Sequence, residues 1–220
     1  MPVTLSLFPE PPQTGAIGVV DQWAWQLDQG PVFGVDEVGR GPLAGPVVAA
    51  AVHLGSSQLP PALQGLNDSK KLSARRREAF VFALVEWGAA IGVGIIEAER
   101  IDQINILEAT REAMHLAVDR ASQKLGQRPG VLLVDGHLRL PGYQGTQYPL
   151  IKGDGRALGI AAASVVAKVV RDRLMTLYSE QFPMYGFAQH KGYGTKAHRL
   201  ALVEHGQCEL HRRSFRWRAP

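Results

Sequence analysis

The sequence predicts an α/β fold: a mixed sheet flanked by helices, with a helical C-terminal part. Three observations predict it. Strand-sized apolar segments cluster early in the chain, before the first long helical pattern. Later strand-like segments alternate with helix-length ones, which layers helices on a sheet. The segment from Leu158 to Tyr178 is apolar nearly all round until Lys168, as a central helix must be.

The elements follow in order. Residues 1–30 read as an N-terminal extension, because Pro2, Pro9, Pro11 and Pro12 oppose regular structure, and Trp23 and Trp25 are placed to anchor it on the domain. No motif falls there, so deleting residues 1–25 is expected to change activity only a few-fold. The domain proper is 31–220. Val32–Val38 reads as a first strand, closed by the turn Gly39-Arg40-Gly41-Pro42. Pro46–Leu54 reads as a second strand, buried on both faces. Ser73 is a candidate N-cap for a helix reaching Trp87, without the Glu or Gln that would complete a capping box. Ala90–Ile96 is a third strand. A long helix is expected from Asn105, with the stripe Leu107, Met114, Ala117, Val118, Ala121 and Leu125, ended by Gly126 and Pro129. Val131–Val134 is a short strand delivering Asp135, and Tyr148–Ile151 another. A last helix runs from near Thr195 to Gly206.

Composition narrows the function classes. The single cysteine, Cys208, excludes a disulfide framework and a cysteine-rich zinc site, and it reads as packing or a surface thiol. The start lacks the basic region and apolar run of a secretory signal, and apolar runs such as Val47 to Val52 are strand-sized, far short of a membrane span. A cytoplasmic monomer is the working expectation. Net charge is +4, and its distribution is uneven. From Gly186 to Pro220 there are 7 Lys/Arg against 2 Asp/Glu, leaving 17 basic and 18 acidic residues elsewhere. A basic end suits a polyanionic partner; on charge alone a solvated tail fits as well.

Four acids stand out by context. Asp36 and Glu37 interrupt the apolar strand GVDEV, Asp135 closes VLLVD, and Asp154 follows YPLIKG. All lie at or near predicted strand ends, where open α/β sheets place their sites. Carboxylates gathered in one place repel each other unless protons or a cation intervene, and an all-oxygen set favours Mg²⁺ or Mn²⁺ over zinc. Taken singly, Asp135 before Gly136 and Asp154 between Gly153 and Gly155 also suit simple turns. Asp36 and Glu37 pose a geometric problem, because neighbours on a strand face opposite ways. Both can serve one site only if the strand ends there. No Walker loop or HExxH motif competes, and the glycines of GRGPLAG have the wrong spacing for a dinucleotide fold.

The run Gly34-Val35-Asp36-Glu37-Val38-Gly39-Arg40-Gly41-Pro42-Leu43-Ala44-Gly45-Pro46 resembles the opening motif of the ribonuclease HII family. The pattern continues at Leu66-Asn67-Asp68-Ser69-Lys70-Lys71-Leu72, Asn105-Ile106-Leu107-Glu108, Val134-Asp135-Gly136 and Lys152-Gly153-Asp154. It resumes at Ala163-Ser164-Val165-Val166-Ala167-Lys168 and Gly186-Phe187-Ala188-Gln189-His190-Lys191-Gly192-Tyr193-Gly194, and closes at His211-Arg212-Arg213-Ser214-Phe215. Ala161 and Gly155 depart from the serines common in the family. The resemblance implies an RNase H-like mixed sheet flanked by helices, and a nuclease acting on RNA–DNA hybrids and on DNA with embedded ribonucleotides. It implies Mn²⁺ or Mg²⁺ held by Asp36, Glu37 and Asp135, with Asp154 as a fourth catalytic acid. It also implies substrate reading by Gly39, Arg40, Gly41 and Tyr193, and phosphate contact by Lys70 and Lys71. His190 and Lys191, beside Tyr193, are candidates for phosphate contact, with plain exposure as the alternative. Lys168 is expected to partner a carboxylate near the site. Arg75, Arg76 and Arg77 read as a solvated helix face and His211 as a surface residue, while Arg212, Arg213, Arg216 and Arg218 form a basic tail facing nucleic acid. Two alternatives remain: a resolvase or integrase-like DNA nuclease of the same fold class, and a non-catalytic nucleic-acid-binding module.

Overall fold

The computed structural model describes residues 9–56 and 58–220; Pro2 and the rest of the first eight residues lie outside them. Five strands form one mixed sheet in the order β3-β2-β1-β4-β5. They are β1 (Val32–Val38), β2 (Val47–His53), β3 (Ala90–Ile96), β4 (Val131–Asp135) and β5 (Thr146–Leu150). The first three form an antiparallel meander, and β1 pairs in parallel with β4, as β4 does with β5. The central strand β1 is therefore the seam between the two halves.

Helices cover both faces. On one lies α3 (Ala98–Leu125), whose Ala109, Ala113, Ala117 and Ala121 press on Val35, Ala49 and Ala51. The approach is close because β3 offers glycines: a Cβ on Gly94 would sit 1.9 Å from the Ala113 carbonyl oxygen. On the other face lies α4 (Leu158–Gln181), with α2 (Ala74–Glu86) packed beside it over Val48, Ala50 and Val52. Here Gly34 and Gly159 let the start of α4 rest directly on β1, since a Cβ on Gly34 would meet the Gly159 carbonyl carbon at 1.9 Å. The apolar run Gly159–Ala167 is buried throughout, as its all-round hydrophobicity requires.

The predicted cap holds: Ser73 accepts from the Arg76 amide at the start of α2. Thr195, near which the last helix is expected to begin, accepts from the His198 amide at the start of α5 (Lys196–His205). Asn105 behaves as a helix start but does not begin the element. Its backbone is left-handed (φ 69°), and its side chain accepts from the Leu107 and Glu108 amides, so it caps a second segment inside a kinked helix that starts at Ala98.

The N-terminal extension is not an appendage where it is described. Helix α1 (Val19–Gln26) buries Val20 and Ala24 against Val32, Val131 and Ile160, with Trp23 and Trp25 packed at the margin. Asp21 accepts hydrogen bonds from the Leu158 and Gly159 amides at 2.7 and 2.9 Å and so caps α4 from a distance. Burial, only partly offset by those amides, raises its carboxyl to about 6. Deleting residues 1–25 would remove this cap from the helix beneath the site, a structural cost that the expectation of a few-fold change in activity leaves out.

Candidate active site at the ends of β1 and β4

Strand β1 runs parallel to β4 with Val35 opposite Val134. One step further, the same register brings Asp36 beside Asp135. Both face α4, because Val35 and Val134 face α3 and side chains alternate along a strand. Asp36 is buried to 6 % exposure, and α4 supplies its neighbour, the Ser164 hydroxyl, itself bonded to the Ser69 hydroxyl at 2.9 Å. Glu37 does point to the other face. The strand ends one residue later, so its carboxylate stays at the sheet's end, where the Arg40 guanidinium pairs with it at 3.4 Å. The opposite-face problem is thus resolved by strand termination.

Asp135 accepts from the Gly153 amide at 2.7 Å, and that bond draws in the loop carrying Asp154. Asp154 in turn meets Asp68, which ends the loop before the Ser69–Lys71 helical turn. The electrostatics agree on one shared site. Burial, then the charges of Glu37 and Asp135, pushes Asp36 well above the ordinary carboxylate range. Burial also raises Glu37, with Asp135 adding to it and Arg40 opposing, and burial, Asp135 and Asp68 together raise Asp154. Burial works against the Lys70 ammonium, yet Asp68, Asp154, Asp36 and Asp135 together hold it above its usual value.

Beside the acids the turn 39–46 is clasped from below by two buried arginines. Arg171 of α4 donates to the carbonyls of Pro46, Lys191 and Ala44, and Arg212 to those of Gly39, Arg40 and Gly45. Leu43 bonds across to Gly192 and Gly45 to Leu210, so the turn is stitched to the helical C-terminal part. Tyr193, 44 % exposed, stands there with its backbone pinned by Thr195 and His198.

The ribonuclease HII family model matches residues 33–217, which covers every element of this site. The chain belongs to the ribonuclease HII family. Ribonuclease HII of Syntrophotalea carbinolica is 52 % identical over 187 residues, 84 % of this chain and 85 % of that one. The Bacillus subtilis protein is 50 % identical over 184 residues, 84 % of this chain and 69 % of its own. Among solved structures, the ribonuclease HII of a PCNA:RNase HII complex from Archaeoglobus fulgidus superposes with a TM-score of 0.69 at 25 % identity, covering 86 % of this chain and 97 % of that one. Ribonuclease H2 from Pyrococcus horikoshii gives 0.66 at 25 % identity, over 84 % and 93 %. This family member is therefore a nuclease, a hydrolase of nucleic acid with the RNase H fold.

Not every residue expected at the site reaches it. His190 is turned inward: one ring nitrogen meets the Tyr185 carbonyl at 2.7 Å, the other accepts from the Gly192 amide, and the ring stacks on His198. Lys191 lies along α4, bonded to the Asp172 carbonyl and the Thr176 hydroxyl. Both are thus engaged by the fold rather than extended toward the acids. Lys168 pairs with Asp172 at 2.7 Å, one turn along its own helix, rather than with a site carboxylate. His211, 2 % exposed, meets His198 at 3.0 Å, and burial, then His198, brings it down to about 4; it is a neutral core residue and not a surface one. Arg212 is fully buried and leaves the basic tail, whose exposed members are Arg213, Arg216 and Arg218. Of the helix-face arginines only Arg75 fits the solvated reading without a bond: Arg76 reaches the Gln64 carbonyl, while Arg77 ties down Ser69 and Leu72 and pairs with Asp172. The residues missed by sequence reasoning are Ser164, Asp68, Arg171 and Arg212; all but Arg171 stand inside the quoted motifs, but only their tertiary partners assign them a part.

Among the described residues no group of three or more His, Cys, Asp or Glu side chains is already arranged to hold a metal ion. The donor set still fits a hard cation. Asp36, Glu37 and Asp135 offer only oxygens, and Mg²⁺ ordinarily takes one or two carboxylates with water and substrate phosphate completing its shell. Each of the three also accepts one hydrogen bond from the fold: Asp36 from the Glu37 amide, Glu37 from Arg40 and Asp135 from the Gly153 amide.

Proposed function

We propose that the protein incises the RNA-containing strand of RNA–DNA hybrids, and cuts on the 5′ side of a ribonucleotide embedded in duplex DNA. The carrying observation is the placement of Asp36, Glu37 and Asp135 at adjoining strand ends, immediately beside the glycine-flanked turn Gly39-Arg40-Gly41. Asp36, Glu37 and Asp135 are the residues that would hold Mn²⁺ or Mg²⁺, with Asp154 as the fourth acid. A divalent ion there supplies charge neutralisation of the phosphate and an activated water. Asp154, buried beside Asp135, would move a proton at the leaving 3′ oxygen, with burial, Asp135 and Asp68 favouring its protonated form and Lys70 opposing them. Attack of water on phosphorus, with departure of the 3′ oxygen of the nucleotide that precedes the ribonucleotide, leaves 5′-phosphate and 3′-hydroxyl ends. Lys70 and Lys71 face the approaching phosphates. The Gly39-Arg40-Gly41 backbone lies within reach of a 2′-hydroxyl, which alone distinguishes a ribonucleotide locally. The exposed Tyr193 ring offers an apolar face for the sugar that follows, and a deoxyribose fits it best.

The test is cleavage of a duplex carrying one ribonucleotide, with EDTA, Mg²⁺ or Mn²⁺. Expected are no cut in EDTA, recovery with either ion, and a product ending 5′ of the ribonucleotide. Cleavage of an all-DNA junction with equal ease would favour a resolvase instead. Tyr193→Ala should lose more activity on the single-ribonucleotide duplex than on a long hybrid; equal losses would remove Tyr193 from junction reading.

A further inference from the structure

We propose that Arg212 is the positioning residue for ribose recognition: from inside the fold it turns the Arg40 and Gly41 amides outward toward the nucleic acid. The inference rests on the function proposed above and adds a specificity-determining residue to it.

Arg212 is buried in an unusual way. It is fully enclosed, and no carboxylate lies within ion-pair distance of it among the described residues. Each of its three guanidinium nitrogens instead donates to backbone carbonyls. Nη1 donates to Arg40 O at 3.0 Å, Nη2 to Gly39 O and to Gly45 O, and Nε to Gly45 O at 3.0 Å. Its own amide donates to Leu43 O at 2.9 Å, and the guanidinium lies over the Phe215 ring at 5.0 Å from the centroid. The fork is therefore immobilised on both sides.

Pinning those carbonyls has a geometric consequence. A peptide unit is planar and trans, so the carbonyl of one residue and the N–H of the next point opposite ways. Fixing Gly39 O inward sends the Arg40 N–H outward, and fixing Arg40 O inward sends the Gly41 N–H outward. Neither amide finds an acceptor among the described residues. The glycines agree with this division of the turn. Gly39 has φ 95°, and a Cβ there would meet the Arg171 Nε at 2.2 Å, so it faces the interior. Around Gly41 a Cβ would meet nothing within 4 Å, so that position opens to solvent. Two successive unpaired donors, backed by a buried guanidinium with no carboxylate within ion-pair distance, form a small anion-friendly concavity. Their place next to Asp36 and Glu37 selects the acceptor: the 2′ oxygen of the ribose beside the scissile phosphate.

Arg212→Lys tests the idea, because an ammonium keeps the charge but cannot bridge three carbonyls as a planar fork does. The affinities of wild type and variant are compared on two duplexes with metal withheld, one with a single ribonucleotide and one all deoxy. The variant should lose about tenfold in its preference for the ribonucleotide, the worth of one well-aligned hydrogen bond, while its affinity for the all-deoxy duplex stays within about twofold. Equal weakening on both duplexes would make Arg212 a general scaffold residue and overturn the proposal, as would an unchanged preference. Should the lysine variant not fold, backbone amide NMR of the wild-type protein decides. The Arg40 and Gly41 resonances should shift with the ribonucleotide duplex and far less with the all-deoxy one, and silence at both would overturn the assignment. A wild-type protein that binds both duplexes alike but cleaves hybrids would defeat the ribose-recognition inference alone, whereas a protein that cuts no ribonucleotide-containing duplex would defeat the function itself.

Discussion

Two regions of this molecule bury charge, and they do so in opposite ways. At the ends of β1 and β4, Asp36, Glu37 and Asp154 sit close to Asp135, and burial with mutual repulsion raises the three of them. Beneath the neighbouring turn, Arg171 and Arg212 are buried as deeply, yet their donors are met by the carbonyls of residues 39–46 and Lys191. The first region keeps its mutual repulsion, opposed only in part by Arg40 and Lys70, whereas the second has its donors met by the fold. A buried charge satisfied by the fold builds a scaffold; one left unsatisfied is available for a ligand and for chemistry. The protein sets the second beside the first, so the rigid part holds the reactive part in place.

The sharpest way to break the contrast is to remove an acid. Asp135→Asn should lower cleavage on the order of 10³-fold or more, the equivalent of several kcal/mol of lost transition-state stabilisation. Its melting temperature without metal should not fall, since one repelling charge is gone, and full activity under saturating Mg²⁺ would displace Asp135 from the site.

Removing a scaffold charge should do the reverse. Arg212→Ala leaves the carbonyls of Gly39, Arg40 and Gly45 without their donors in the interior, at roughly 1–3 kcal/mol for each such group. Denaturant unfolding should show a loss of at least about 3 kcal/mol, with activity falling because the turn collapses. A variant as stable as wild type would mean that the clasp carries little of the fold.

Acid should distinguish the regions too. Asp21 has a folded-state carboxyl at about 6, above its ordinary 3.8, so the folded protein binds the extra proton. Its contribution to stability is fully present below about 3.8 and is lost as pH rises through about 6. A shift of this size corresponds to about 3 kcal/mol. Asp36, Glu37 and Asp154 act in the same direction. Thermal melts should therefore show stability falling as pH rises from about 4 to about 7, and Asp21→Asn should flatten part of that slope. Mg²⁺ should raise the melting point more at about pH 7.5 than at about pH 5, because protons and metal compete for the same oxygens.

The smallest effect belongs to the tail. Replacing the exposed Arg213, Arg216 and Arg218 with Ala, while sparing Arg212, should reduce the salt dependence of duplex binding by about 0.9 in log–log slope for each phosphate no longer neutralised. An unchanged slope in the folded variant would leave the tail as solvated surface.

Much of this was legible in the chain. Strands Val32–Val38 and Ala90–Ile96 end where apolar pattern and turn residues place them, Ser73 caps as its chemistry predicts, and the last helix begins beside Thr195. These are local properties, set by alternation, helical spacing and the hydrogen-bonding reach of a short side chain. The candidate acids were legible for a similar reason: a carboxylate inside an apolar strand is costly, and the cost shows in sequence. Asn105 marks the limit of local reading, because a capping signal cannot reveal that a helical segment already precedes it.

Only the tertiary structure decided which polar residues are free. Arg212 reads as one more charge in a basic tail until its partners, 167 and more residues earlier in the chain, come into view. His211 looks exposed until His198 meets it, and Lys191 looks available until α4 takes its ammonium. Asp21 sits in an unremarked N-terminal stretch until the bare amides of α4, 137 residues on, find it. Periodicity records which face of an element is apolar. It holds no record of which distant carbonyl or amide will claim a given side chain, because that depends on packing distances that exist only once the sheet and its helices have closed on each other.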